Sequence, residues 1–189
     1  MVMSDLVTAL IRAQEVRDAW LAEHSLRVSC LAKLLAETLN LGREFAEEVA
    51  CAGYLHDLGM LGVSENVLTK PASLTEPEIA EVRRHPELGF QILDRLQTLP
   101  QTVALAVLHH HERWDGSGYP SGLKGESIPL ASFMISLAES WDVMTHTLPY
   151  RDALPPAEAR ERIVRGAGRQ YHPELAGVFC DLPVVGLAR

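Results

Sequence analysis

The stretch REFAEEVACAGYLHDLG, residues 43–59, indicates how this chain folds. Its apolar residues recur at spacings of three and four: Phe45, Val49 and Ala52. This spacing places them on one face of an α-helix. The polar pair His56 and Asp57 closes the segment, and Gly59 interrupts the helical pattern directly afterwards. The stretch therefore predicts an amphipathic helix that buries one face and ends at a histidine and an aspartate.

The same helical spacing of apolar residues continues on both sides of this stretch. Upstream, it predicts a helix over about residues 4–20 and a second helix that stops at Asn40-Leu41-Gly42. Downstream, helices are predicted to begin near the following residues: Thr75, His85, Pro100, Leu130, Pro155 and Pro173. No segment shows the strict alternation that is typical of a half-buried strand. The sequence therefore predicts an all-α fold in a single compact domain.

Length, composition and charge limit the classes of function. The 189 residues are 47% apolar and 22% charged, which suits one globular domain and leaves no room for a second. The net charge of −8 argues against non-specific binding to DNA or to an anionic membrane. No apolar run approaches the roughly 20 residues of a membrane span, and the N-terminal segment does not resemble a signal peptide. Three scattered cysteines, an odd number, indicate a reducing compartment. We expect a cytoplasmic protein without DNA or membrane partners.

One segment, residues 112–129, breaks the helical pattern for an unusual length. It contains glycines and prolines at short intervals: Gly116, Gly118, Pro120, Gly122, Gly125 and Pro129. Polar and aromatic residues lie between them. Loops of this length inside a compact domain are usually functional. The sequence therefore predicts a structured Gly/Pro-rich loop with a role in the site.

Most of the eight histidines lie at predicted helix ends. His110 and His111 form a second adjacent pair, which closes another apolar helix. Consecutive helical residues point about 100° apart, so both can bind one metal only if the helix end is irregular. The loop that starts at Glu112 supplies this irregularity. His109 can replace either member of the pair, and the sequence leaves that alternative open.

His24 and His85 are single histidines, each at a predicted helix N-terminus, and Glu139 lies in an apolar helix. A buried carboxylate is costly unless it is paired or bound to a metal, so Glu139 is either a ligand or part of a buried salt bridge. Any one of these histidines, taken alone, is more often structural than a ligand. The set, together with His56 and Asp57, predicts a metal centre.

Several stretches resemble one family of hydrolases. The stretches HDLG (56–59) and LTKP (68–71) resemble the HD superfamily of metal-dependent phosphohydrolases. The stretch HHERWDGSGYP (110–120) is similar to the signature of the HD-GYP branch, as are HPELG (85–89) and LPYR (148–151). The long and irregular 110–120 stretch is a specific signal, unlike a lone HD dipeptide.

The resemblance covers about residues 24–179 and implies a fold, an activity and cofactors. It implies one HD-GYP domain over residues 1–189, with an N-terminal helix (1–23) and a metal-binding core (24–181). Members of the family hydrolyse the cyclic dinucleotide cyclic di-GMP, to pGpG or GMP, with two or three metal ions. The metals are commonly iron or manganese, and zinc is the alternative. A phosphodiester needs an activated hydroxide and charge neutralisation, which two metal ions provide together.

The resemblance also implies site residues. One metal is expected to take His24, His56, Asp57 and Glu139. The second metal is expected to take Asp57 as a bridge, together with His85, His110 and His111. Asp57 and Asp142 are the expected catalytic residues. Asp142 can position water, a histidine or the leaving group. The alternative interpretation, that Asp142 is an ordinary solvated acid, is equally good. Arg151 and the loop residues Gly118, Tyr119 and Pro120 are expected to contact substrate, and the family also uses this loop for contacts with signalling proteins.

The chain departs from the family at four positions. Met60 follows Gly59 where the family usually has lysine, and Leu148 stands where it usually has arginine. Glu139 replaces an aspartate, and Trp20 replaces the glutamate of members that bind a third metal. We therefore expect two ions and weakened binding of the substrate phosphates. The alternative is a diverged, catalytically poor domain that binds metal, nucleotide or a partner protein. A hydrolase of another nucleotide is a third interpretation, against which the GYP loop weighs.

Overall fold

The computed structural model describes residues 5–147 and 151–183. Within these ranges the chain forms α-helices and two short 3-10 helices, without a β-strand. The α-helices are α1 (Asp5–Arg17), α2 (Ala19–Thr38), α3 (Arg43–Leu55), α4 (Glu65–Leu68), α5 (Glu76–Val82), α6 (His85–Leu93), α7 (Gln101–His109), α8 (Leu130–Thr145), α9 (Pro156–Gly166) and α10 (Pro173–Cys180). The 3-10 helices span Leu58–Gly62 and Gly125–Ser127. The all-α prediction is confirmed.

The boundary between α1 and α2 differs from the prediction. Asp18 takes an extended conformation with φ −149° and accepts a hydrogen bond from the Leu21 N–H at 3.0 Å. This N-cap ends the first helix and starts the second, because the Asp18 carboxylate satisfies an amide that a continuous helix would bond internally. The prediction of one helix to residue 20, with His24 at the start of the next, was therefore wrong. His24 lies inside α2 and is buried.

Two other predicted signals are confirmed. Asn40 takes a positive φ of 54° between α2 and α3, at the predicted stop. The helix start predicted near Thr75 is a capping box at the beginning of α5, where the Thr75 N–H donates to Glu78 Oε2 at 2.7 Å. Lys70 Nζ also donates to this carboxylate at 2.7 Å, which ties the segment before α5 to its first turn.

The core lies between α2, α3, α7 and α8. Helix α8 is buried on nearly all sides, from Ala131 to Asp142, because α9 and α10 cover the face that α2 and α7 leave free. The largest fully buried side chains are Trp141 and Phe133 of α8 and Phe179 of α10. Burying an apolar side chain of this size contributes on the order of 1.5–3 kcal/mol. In the ranges 5–147 and 151–183, none of the helices combines the length and apolar character that crossing a bilayer requires.

Gly59 fixes how the first turn of α6 meets the end of α3. The 3-10 helix Leu58–Gly62 packs directly against α6. A Cβ atom at position 59 would collide with the His85 carbonyl oxygen and lie 2.6 Å from the Gly89 nitrogen. Only glycine permits this approach of two main chains. The contact brings Asp57, which precedes the 3-10 helix, next to His85.

The loop over residues 112–129 is closed by a buried carboxylate. Glu112 accepts hydrogen bonds from the N–H groups of Ser121 at 2.7 Å and Leu123 at 3.1 Å. Gly118 packs on the turn before it, where a Cβ atom would lie 2.6 Å from the His111 carbonyl oxygen. The predicted Gly/Pro-rich loop is therefore folded back onto the end of α7.

Candidate metal centre

Two groups of side chains have the composition and spacing of metal sites. We name them the first donor group (His24, His56 and Asp57) and the second donor group (His85, His110 and His111). Within each group the potential ligand atoms lie within 4.8 Å of one another. His56 and His110 are fully buried. The structure thus brings six of the seven predicted ligands into these groups.

Glu139, the seventh predicted ligand, lies beside the groups. Its Oε2 atom is 3.9 Å from His111 Nδ1. Its negative charge also acts on His56. Burial lowers the pKa of His56, but the Asp57 carboxylate and, to a smaller extent, Glu139 raise it. Burial raises the pKa of Glu139 itself to about 7. The carboxyl therefore lies close to both groups, although it is not among the three closely spaced residues of either.

Three histidines have their rings fixed in the same way. The Nδ1 atoms of His56, His85 and His110 each contact a main-chain carbonyl three residues earlier. These carbonyls belong to Gly53 at 2.8 Å, Val82 at 2.8 Å and Val107 at 2.6 Å. A carbonyl oxygen only accepts, so each Nδ1 carries a hydrogen, and in the neutral ring each Nε2 presents a lone pair. This is the orientation that metal-binding histidines usually take.

The lone pairs converge without a donor between them. The Nε2 atoms of His85 and His110 face each other at 3.2 Å, and two lone pairs at that distance repel. His56 Nε2 is buried, and its 3.2 Å contact with Asp57 Oδ2 does not have hydrogen-bond geometry. Buried polar atoms are normally paired. A cation that accepts these lone pairs would satisfy them, so the residues present fit a metal site.

Asp57 lies between the two donor groups. Its Oδ2 atom is 3.2 Å from His56 Nε2 and its Oδ1 atom is 3.3 Å from His85 Nε2. Burial acts to raise the pKa of Asp57, but the surrounding histidines, His56 above all, hold it well below its ordinary value. The carboxylate is therefore ionised, with one oxygen directed to each group.

The pKa values of the histidines differ between the two donor groups. Burial acts to lower the pKa of His56, but the adjacent Asp57 carboxylate outweighs it and raises this pKa to about 9. In the second donor group burial dominates. It lowers the pKa of His110 well below the ordinary value and that of His111 to about 3. Without metal, the first group therefore holds a proton on His56 that a metal ion would displace, while the second consists of neutral imidazoles whose lone pairs are available.

Asp142 lies behind the first donor group. Its Oδ2 atom is 2.7 Å from His24 Nδ1, and its Oδ1 atom accepts from Arg27 Nε at 2.6 Å. His146 Nδ1 also lies 3.1 Å from Oδ1. The carboxylate is fully buried among these partners, so it is not a solvated acid. Among the predicted roles, this geometry supports the positioning of a histidine.

Trp20 covers the outer side of His24. The two rings stack with a centroid distance of 5.4 Å and an interplanar angle of 2°. The indole therefore occupies space beside a potential ligand where a glutamate would offer oxygen atoms. This arrangement supports the expectation of two ions.

The end of α7 decides which of its three histidines reach the second donor group. Helix α7 ends at His109, and His110 follows as the C-cap. The rings of His110 and His111 lie 4.1 Å apart, because His111 is already in the turn. His109 points elsewhere, with Nδ1 3.6 Å from Glu112 Oε1. The structure therefore brings together His110 and His111, and leaves His109 outside the group.

The GYP loop forms one wall beside the second donor group. The Tyr119 ring stacks on His111 with a centroid distance of 4.8 Å, and the Tyr119 N–H donates to the His111 carbonyl at 3.2 Å. Pro120 follows through a cis peptide bond. The buried Glu112 that closes this loop was missed in the sequence, where it marked only the start of an irregular segment. The sequence did contain one signal for this role, because Glu112 directly follows His110 and His111.

Two of the residues at the positions where phosphate contacts were expected already have partners within the protein. Arg151 Nη2 donates to the Val143 carbonyl near the end of α8, so part of the guanidinium is used by the main chain. The Met60 carbonyl accepts from Arg17 Nη1 at 2.7 Å. Leu148, like Pro149 and Tyr150, lies outside the described residues.

Comparisons with known proteins show which family the whole chain is similar to. Residues 8–175 match the family model described as "HD domain". The chain is 36% identical over 179 residues to a cyclic di-GMP phosphodiesterase of Thermotoga maritima, covering 94% of this chain and 49% of that protein. It is 38% identical over 170 residues to the cyclic di-GMP phosphodiesterase response regulator RpfG of Xanthomonas campestris pv. campestris, covering 89% and 45%. A 3'3'-cGAMP-specific phosphodiesterase 2 of Vibrio cholerae is 33% identical over 178 residues, covering 94% and 34%.

The chain therefore spans about half the length, or less, of these curated relatives. Among solved structures, Bd1817, an HDG"Y"P protein from Bdellovibrio bacteriovorus, aligns with a TM-score of 0.70 at 22% identity, over 85% of this chain and 51% of that one. This likeness shows a shared fold. Since the family match extends over most of the sequence, including both donor groups, the chain belongs to the HD domain family.

Proposed function

We propose that this domain is a metal-dependent phosphodiesterase that hydrolyses cyclic di-GMP to pGpG, to GMP or to both. The observation that carries the proposal is the convergence of unpaired Nε2 atoms around Asp57, which two donor groups share. The relatives named cyclic di-GMP phosphodiesterases support the choice of substrate. Because the chain covers only about half of those proteins, the activity assigned here is that of this domain.

Two transition-metal ions are part of the proposal, iron or manganese first and zinc as the alternative. Imidazole with carboxylate is a ligand set that suits these metals. The first ion would be held by His24, His56, Asp57 and Glu139. The second would be held by Asp57, His85, His110 and His111. When bound, such a pair supplies Lewis acidity toward phosphoryl oxygens and lowers the pKa of water.

The remaining residues have distinct proposed tasks. Asp57 joins the two donor groups, and Asp142 holds His24 in the tautomer that leaves Nε2 free. Gly118, Tyr119 and Pro120 shape one wall of the substrate cavity, and Arg151 contributes a contact through the guanidinium atoms that Val143 leaves unused. The exposed part of the same loop is our proposed surface for signalling partners. We also propose a cytoplasmic location, which the three free cysteines support.

The alternative is a domain that keeps its metal or nucleotide without efficient turnover. Met60, whose side chain offers no charge beside Asp57, favours this alternative. The complete set of donor atoms weighs against a metal-free version of this alternative, because mutually repelling buried lone pairs would cost stability in a chain that never bound metal. The relatives named phosphodiesterases make hydrolysis the better-supported function.

The test combines metal analysis with a hydrolysis assay. The purified chain is loaded with Mn²⁺ or with Fe²⁺ under anaerobic conditions, and its metal content and turnover of cyclic di-GMP, 3'3'-cGAMP and cyclic di-AMP are measured. Asp57→Ala is compared with Asp94→Ala, a matched change at an exposed aspartate. We expect about two metals and turnover in the wild type and in Asp94→Ala, and neither in Asp57→Ala. Metal without turnover would support the binding module, and a chain that takes up no metal would contradict both.

A further inference from the structure

Arg83 stands at the edge of the second donor group, joined to it by a row of stacked side chains. Its guanidinium carbon lies over the Tyr119 ring, 5.4 Å from the centroid. The Tyr119 ring in turn stacks on His111 at 4.8 Å. In sequence Arg83 precedes His85 by two residues, at the start of α6. Two independent features, chain position and the aromatic stack, therefore place this cation beside the donor atoms.

The other arginines near the site already have polar partners. Arg27 contacts Asp142, Arg17 contacts two main-chain carbonyls, Arg113 contacts Ser117 and Asp115, and Arg151 contacts Val143. In contrast, no hydrogen bond or ion pair within residues 5–147 and 151–183 engages the Arg83 guanidinium. The side chain is exposed, so its N–H donors are available to a ligand.

A phosphate ligand is the chemistry that this guanidinium fits. Its planar set of N–H donors matches phosphate oxygens in a bidentate manner. The aromatic ring below it limits its motion, which reduces the entropy lost on binding. The site also lacks the side-chain cation that a lysine at position 60 would provide.

We propose that Arg83 binds a phosphate group of the nucleotide beside the second donor group, and so supplies a contact that Met60 cannot make. This inference rests on the proposed function for the identity of the nucleotide. Tyr119 then has two neighbours to align, the His111 ring and the Arg83 guanidinium. Binding of a phosphate group by the Arg83 cation does not depend on which nucleotide carries that phosphate.

The test uses three variants of the full chain. Arg83→Gln removes the charge, Arg83→Lys keeps it without the planar fork, and Arg84→Gln is the matched control at the adjacent exposed arginine. For each, the KM for cyclic di-GMP and the Kd for GMP, which has a phosphate but no diester to cleave, are measured on manganese-loaded protein. Metal content is determined in parallel.

We expect Arg83→Gln to raise KM and Kd by about 10-fold to 100-fold, the range for a lost charge-assisted contact. Arg83→Lys should recover part of this loss, and Arg84→Gln should change either value less than about twofold. If no variant hydrolyses cyclic di-GMP but Arg83→Gln still weakens GMP binding, the proposed function fails and the inference stands. The inference is overturned if Arg83→Gln behaves like Arg84→Gln, if the wild type does not bind GMP, or if Arg83→Gln loses metal.

Discussion

The first and second donor groups differ in what supports one of their histidines. Both groups contain histidines that main-chain carbonyls orient: His56 in the first, and His85 and His110 in the second. In the first group, however, His24 is oriented by the buried carboxylate of Asp142, which also contacts Arg27. In the second, His111 is supported by the stacked ring of Tyr119. The first group therefore depends in part on charged side chains from two helices, whereas the second depends on the local main chain and on the GYP loop.

This difference predicts unequal affinity for metal. A carboxylate behind an imidazole increases its basicity, and Asp57 adds a negative charge directly. The second donor group contains only imidazoles, whose pKa values burial lowers. An ion in the first group is thus stabilised by two carboxylates, and an ion in the second shares Asp57. We expect the first group to fill at lower metal concentration than the second.

The largest effect is expected at the residue that both groups share. Asp57→Ala should reduce the metal content from about two ions to none, because both ions lose the carboxylate that they share and several histidines remain near one another. Metal content after dialysis, measured by elemental analysis, checks this. Two ions per chain in Asp57→Ala would show that the groups bind metal independently.

A change in the second group should remove one ion only. His85→Ala should leave about one ion per chain, with the remaining ion in the first donor group, because the contact from Asp57 Oδ2 to His56 persists. Metal titration followed by calorimetry distinguishes this outcome, since the weaker binding step should vanish while the stronger one remains. Loss of the stronger step instead would reverse the assigned order of affinity.

Asp142→Asn should have a smaller and selective effect. The amide keeps the shape of the carboxylate but removes the charge behind His24, a kind of change that typically costs about 10-fold to 100-fold in metal affinity. Only the stronger binding step should weaken. Equal weakening of both steps, or a lower melting temperature in metal-free protein with unchanged affinities, would assign Asp142 to the core rather than to the site.

The smallest expected effect concerns Met60. Met60→Lys should raise kcat/KM for cyclic di-GMP by about 10-fold or less, since an ammonium group beside a phosphate supplies a charge-assisted contact that Arg83 already provides in part. Met60→Gln, of similar length and without charge, is the control. Steady-state kinetics at matched metal content checks this, and equal rates for the two variants would mean that the position faces away from the substrate.

Some of these features follow from local sequence and others do not. The helix that ends at His56 was predictable because its apolar face and its terminating glycine are both within one stretch. The start of α2 was misplaced because apolar spacing continues across Asp18, and only the capping hydrogen bond to Leu21 separates the helices. Attention to aspartate as an N-cap residue would have corrected it.

The choice among His109, His110 and His111 required tertiary structure. Three consecutive histidines carry the same local signal, and the direction of each ring depends on the turn that follows α7. That turn is set by Glu112, whose carboxylate bonds to amides nine and eleven residues later. No periodic pattern encodes a contact between an acid and a distant loop amide. The membership of the site was predictable, but the arrangement that separates His109 from the others was not.

Gly59 also bears on how the domain accommodates metals of different size. The distance from Asp57 to α6 is set by contact between main chains, at Gly59, His85 and Gly89. Such a contact cannot lengthen or shorten as a side chain can, so ions of different radius must be accommodated by small ring rotations within each donor group. We therefore expect manganese, iron and zinc to replace one another with little change in backbone geometry. The supply of each metal in the cell, rather than the fold, would then decide which one is bound.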